Sequence, residues 1–196
     1  LAPNYGVDGL QIKDAVKMAE EWYKRWQEYP PHEVLQVEVK ESFPLAVKVN
    51  GEVYETQVVY IWDRADLMPD GSIKVVDYKS WMQCMTADDI FNHLQFRLYA
   101  LAAAIRYKDR NPPYIWVAAD QLRYKLPTAV RFTRDDLRDI WLWLRGIYQR
   151  ILESDGTMEI VGNACRWCVR SPECYSFNQA AHAGTLMSYR DPADAA

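Results

Sequence analysis

Asp63, Asp66, Asp77 and Lys79 crowd into one 19-residue stretch, "WDRADLMPDGSIKVVDYKS" from Trp62 to Ser80. The stretch has the pattern of a β-hairpin, with Pro69-Asp70-Gly71 as its turn. Side chains alternate across a strand, so Asp77 and Lys79 share a face with Ile73 and Val75. Asp66 ends the preceding strand, and a twisted hairpin is expected to carry it toward Asp77, with Asp63 as the alternative if the strand end shifts. Two carboxylates brought together repel unless a cation lies between them. Carboxylate oxygens completed by water are what Mg²⁺ prefers. A lysine two residues from such a carboxylate can orient a water or steady charge developing on a phosphate. A cross-strand ion pair on a solvated hairpin is the plainer account of the same four residues.

The surrounding elements must position this group. Lys13 to Tyr29 carries apolar residues at Ala15, Met18, Trp22 and Trp26, which is helical spacing, and Pro30-Pro31 ends it. Residues 33–68 alternate apolar and polar positions, which predicts three strands, with Asn50-Gly51 turning between the first two. "SIKVVDYKS" is the fourth strand. Thr86 caps a helix predicted to run to about Lys108, and "YIWVAADQLRY" and "AVRF" supply a fifth and a short sixth strand. Thr133 caps a long amphipathic helix ending near Asp155-Gly156. The order predicts an α/β fold in which helices flank a central mixed β-sheet, with a core over 1–160, a cysteine-rich segment over 161–185 and a disordered tail over 186–196.

Composition fits an ordinary globular protein, with 49 % hydrophobic and 26 % charged residues. No apolar run reaches the roughly 18 residues of a membrane span, and no secretory signal precedes the first helix, so the chain is expected in the cytoplasm and not in a membrane. A net charge of −4 argues against a protein that coats polyanions generally. Basic residues outnumber acids between Arg106 and Arg150, which offers either a phosphate-facing patch or a solvated surface.

The pattern "DRAD" followed by "GSIKVVDYKS" resembles the PD-(D/E)XK nuclease superfamily, and specifically its RecB-like exonuclease branch. The resemblance implies a restriction-endonuclease-like core and a metal-dependent deoxyribonuclease that hydrolyses phosphodiester bonds with Mg²⁺ or Mn²⁺. It assigns Asp66 and Asp77 as metal-binding carboxylates, Asp63 as runner-up for Asp66, the Tyr78 backbone carbonyl as a further ligand, and Lys79 as the catalytic lysine. "NHLQFRLYALA" supplies Gln95 and Tyr99 at i, i+4, on one helix face. They match the Gln-x-x-x-Tyr that this branch carries behind its lysine strand. The implied substrate is DNA, as single strands or duplex ends, with a helicase or recombination partner and a DNA repair or recombination role. Trp81 is an expected stacking surface for unpaired bases. The branch usually carries a His on an N-terminal helix, and residues 13–26 contain none. That helix is expected upstream of Leu1, with Glu20 or Glu21 as substitutes.

Three cysteines cluster in "CRWCVRSPEC", at Cys165, Cys168 and Cys174. Thiolates at this spacing can wrap one metal centre. CRISPR-associated RecB-like and AddB-type nuclease domains are similar in carrying this spacing around a [4Fe–4S] cluster. The fourth ligand is expected upstream of Leu1 or at Cys84 or His182; with His182, a tetrahedral Zn²⁺ site is the alternative.

Overall fold

The computed structural model describes residues 9–80 and 82–154. The chain divides into two compact units, 1–147 and 148–196. Cys165, Cys168, Cys174, His182, the 186–196 tail and Trp81 lie outside the described residues.

The described residues begin with helix α1 (Gly9–Glu28), followed by β1 (Glu33–Val37), β2 (Lys40–Val49), β3 (Glu52–Ile61), β4 (Arg64–Leu67) and β5 (Ile73–Lys79). Helices α2 (Ala87–Asn92) and α3 (Leu94–Arg106), strands β6 (Ile115–Gln121) and β7 (Leu126–Phe132), and helix α4 (Arg134–Glu153) complete the order. Among the described residues five strands form one mixed sheet in the order β1-β4-β5-β6-β7, in which β5 and β6 pair in parallel and the other neighbours are antiparallel. A parallel pair needs a crossover, and α2 and α3 provide it. Strands β2 and β3 form a separate hairpin inserted between β1 and β4.

The hairpin turn follows from its residues. Asn50 and Gly51 both have positive φ, at 50° and 91°, between the paired Val49 and Glu52. This is the two-residue turn whose twist matches the strands. From Phe43 onward every second residue of β2 (Phe43, Leu45, Val47 and Val49) is buried, as period-2 patterning requires.

Where three strands are predicted over 33–68, four form. Glu38 takes a positive φ of 48°, its N–H donates to the Asp63 carbonyl at 3.1 Å, and the chain leaves the main sheet there. The single helix predicted over 86–108 is two helices that meet at His93, whose ψ is 130°. No Gly or Pro marks the break. Tertiary packing imposes it: Phe91 stacks on Phe132 of β7, while Phe96, Ala100 and Ala103 bury in the main core. That core fills the face of the sheet bearing Ile73, Val75, Val117 and Ala119.

One buried side chain fixes the segment between β5 and α2. Gln121 is 2 % exposed; its Nε2 donates to the Met85 carbonyl and to Thr128 Oγ1, both at 2.9 Å, and its Oε1 accepts from the Met85 N–H at 2.6 Å. Gln121→Ala strands both backbone groups of Met85. The expected cost is about 3 kcal/mol, read as a lower urea midpoint at unchanged m-value.

Candidate active site

Strand β5 presents Ile73, Val75, Asp77 and Lys79 to one face, and helix α3 lies against that face. The Lys79 ammonium stands 2.6 Å from Asp77 Oδ2 and donates to Gln95 Oε1 at 3.1 Å. Gln95 Nε2 donates to Asp77 Oδ1 at 3.1 Å and to the Tyr99 hydroxyl at 2.9 Å. Tyr99 in turn donates to the Ile61 carbonyl. Asp77, Lys79 and Gln95 thus form a closed ring, and Tyr99 anchors it to the end of β3. One helical turn separates Gln95 from Tyr99, which is why both reach the same strand.

Asp63 occupies the short link between β3 and β4, and its Oδ2 accepts from the backbone N–H of Tyr78 at 2.6 Å. Its carboxylate therefore meets β5 at the residue next to Asp77. Burial pushes the Asp77 carboxyl above its ordinary value, Lys79 pulls it back, and the negative charge of Asp63 pushes it further up. Burial also raises the Tyr99 hydroxyl, helped by the charges of Asp77 and Asp63.

Asp66 is not part of this group. In the β4–β5 register it sits opposite Lys74, three residues from Asp77, and alternation puts it on the other face of the sheet. There it is 1 % exposed and clamped by Arg64, with Nε at 2.8 and 3.0 Å from its two oxygens and Nη2 at 2.9 Å. The register thus places Asp66 away from Asp77, where the sequence predicts an approach, while Asp63 reaches the strand beside Asp77. An available signal was the Arg-x-Asp spacing of Arg64 and Asp66, which pairs them on one strand face.

Other carboxylates are engaged elsewhere. Glu21 pairs with Lys24 and Lys125, and Glu41 holds Tyr60 and Arg106. Of the basic residues between Arg106 and Arg150, Arg106, Arg123, Lys125 and Arg138 are in ion pairs with acids. Cys84 is exposed, with its thiol 3.9 Å from the Met85 carbonyl. His93 lies beside Gln95 in the cleft between β3 and α3, packs on Phe96, and acts to lower the Asp77 carboxyl.

Among the described residues no cluster of three or more His, Cys, Asp or Glu side chains forms a ready-made metal cage. Asp63 and Asp77 supply oxygen donors only. This suits Mg²⁺ or Mn²⁺, hard cations that bind through one or two carboxylates and fill their remaining positions with water and phosphate oxygens.

The solved structure "Crystal structure of SSO0001" is similar at a TM-score of 0.41 and 9 % identity, over 86 % of this chain and 71 % of that one. No curated protein matches the chain. A model of the PD-(D/E)XK nuclease superfamily matches residues 7–175, which include the whole β4–β5 hairpin and helix α3. With most of its length matched, the chain belongs to the PD-(D/E)XK nuclease superfamily.

Proposed function

We propose that the chain is a metal-dependent deoxyribonuclease of the RecB-like exonuclease type, acting on single strands or duplex ends. The observation that carries this is the ring of Asp77, Lys79 and Gln95 beside Asp63. Asp63 and Asp77, with the Tyr78 carbonyl, would hold Mg²⁺ or Mn²⁺, which when bound neutralises charge on the scissile phosphate. Lys79 orients the attacking water and donates toward the phosphate oxygens. Gln95 holds Asp77 and Lys79 in register, and Tyr99 fixes Gln95. In-line attack forms the new phosphorus–oxygen bond as the bond to the 3′ oxygen breaks. The leaving oxygen takes up a proton, and the product keeps a 5′-phosphate. A helicase or recombination partner would supply the opened strand.

The test is cleavage of 5′- and 3′-labelled single-stranded and duplex DNA with Mg²⁺, Mn²⁺ or EDTA. Wild type should degrade DNA only with metal, and Lys79→Ala should slow it on the order of 10²-fold. Binding without any cleavage would instead identify a DNA-binding or assembly module that keeps the fold.

The thiolates of Cys165, Cys168 and Cys174 we assign to a structural [4Fe–4S] cluster or Zn²⁺. Protein purified without oxygen should be brown with about four irons per chain, or colourless with one zinc by elemental analysis. Neither metal above trace level rules the assignment out.

A further inference from the structure

The α1 face of the sheet, opposite Asp77, carries a second group of charges that the proposed nuclease chemistry does not use. Arg64, Asp66 and Lys74 come from β4 and β5, Asp120 from β6, and Arg25 from α1. Three cations therefore face two anions, and both anions are engaged: Asp66 by Arg64, and Asp120 by Arg25 Nη1 at 2.9 Å. Lys74 makes no hydrogen bond or close ion pair among the described residues, and Nε and Nη2 of Arg25 are buried without a partner among them. Burial lowers the Lys74 ammonium below its ordinary value; Asp66 and Asp120 pull it back up, and Arg64 pushes it further down. A half-buried lysine whose charged form lacks a close partner is stabilised by an anion placed beside it.

The space to receive one is present. A cavity of about 610 Å³ lies over Arg64, Lys74 and His32, and a second of about 220 Å³ lies over Arg25, Trp26 and Asp120. Both are lined by Tyr29, Arg64 and Lys74, so they open on one groove. Its walls are aromatic as well as basic: Arg64 stacks on the Trp26 ring at 4.7 Å, Trp26 on Trp22 at 5.4 Å, and Tyr29 stands 74 % exposed at the rim. An aromatic ring beside an unsatisfied cation suits a planar base attached to a phosphate.

We infer that the groove between α1 and the sheet binds a nucleotide through its phosphate monoester, with Lys74 and Arg25 on the phosphate and Tyr29 against the base. The ligand is either a free nucleoside monophosphate or the phosphorylated end of a strand, and the two share this chemistry.

Calorimetric titration of the full chain in EDTA, as the Asp77→Asn variant so that nothing is cleaved, tests it. Probes are adenosine 5′-monophosphate, adenosine, inorganic phosphate, and oligothymidylate with and without a 5′-phosphate. A phosphate-bearing nucleotide probe should bind at least tenfold more tightly than its unphosphorylated counterpart. Lys74→Gln should weaken that binding at least tenfold, Lys74→Arg should retain it, and the exposed Tyr29→Ala should weaken it several-fold with the fold intact by circular dichroism. Tighter binding of the monophosphate identifies a free nucleotide, and tighter binding of the phosphorylated oligomer identifies a strand end. No binding at millimolar concentration, equal affinity with and without the phosphate, or no loss in both Lys74→Gln and Tyr29→Ala would overturn the inference.

Discussion

Asp63→Asn should abolish metal-dependent cleavage, on the order of 10³-fold or about 4 kcal/mol of transition-state stabilisation, and leave the fold in place. The asparagine oxygen can still accept the Tyr78 N–H that Asp63 Oδ2 holds at 2.6 Å, so the link between β3 and β5 survives. What disappears is one of the two negative charges proposed to face the cation, and a neutral amide is a poor ligand for a hard divalent ion. Asp77→Asn should behave alike, because the amide keeps its hydrogen-bonding capacity toward Gln95 but loses the charge that pairs with Lys79 and is proposed to hold the metal. Single-turnover cleavage at saturating Mg²⁺, with circular dichroism on each variant, measures both terms. If Asp63→Asn cut within tenfold of wild type while folded Asp66→Asn did not, Asp66 would regain the role of first carboxylate.

This assignment depends on a part of the structure that local pattern does not encode. Asp77 and Lys79 lie two apart on one strand, and Gln95 and Tyr99 lie four apart on one helix, so periodicity alone tells which side chains travel together. The β5–α3 crossover then brings the two pairs into contact. The choice between Asp63 and Asp66 turns instead on the pairing of β4 with β5, where a shift of one residue exchanges faces. The observed pairs Arg64 with Val76 and Asp66 with Lys74 put Asp66 on the face away from Asp77, which is why the proposal names Asp63. The same limit explains the β-strands. Alternation over 33–68 revealed the strands and the Asn50-Gly51 turn, but not that the chain would leave the sheet at Glu38 and return at Arg64. That excursion is fixed by the long-range bond from Glu38 N–H to the Asp63 carbonyl. The break at His93 has no local signal, because it is imposed by what Phe91 and Phe96 pack against.

Asp66→Ala should have the largest effect on stability, about 3–5 kcal/mol, a large fraction of the roughly 5–15 kcal/mol that holds an ordinary domain together. The Arg64 side chain is only 12 % exposed, and three of its contacts to Asp66 are at 3.0 Å or less. Guanidinium does not lose its proton under any condition a folded protein survives, so without Asp66 its charge stays buried. The Tyr78 hydroxyl and the Trp26 ring remain as partners, but neither supplies a negative charge. Burial nevertheless pushes the Asp66 carboxyl upward against the pull of Arg64, so desolvation opposes the pairing. The pair is therefore costly to break and of modest net worth to keep. Arg64→Met combined with Asp66→Leu should recover most of the stability lost by Asp66→Ala alone, because neither charge is then left in the groove. Urea unfolding of wild type, Arg64→Met, Asp66→Leu and the double variant gives the coupling directly, with Asp66→Ala measured beside them. A double variant no more stable than Asp66→Ala would mean that Arg64 and Asp66 hold the α1 face by shape and hydrogen bonding as well as by charge.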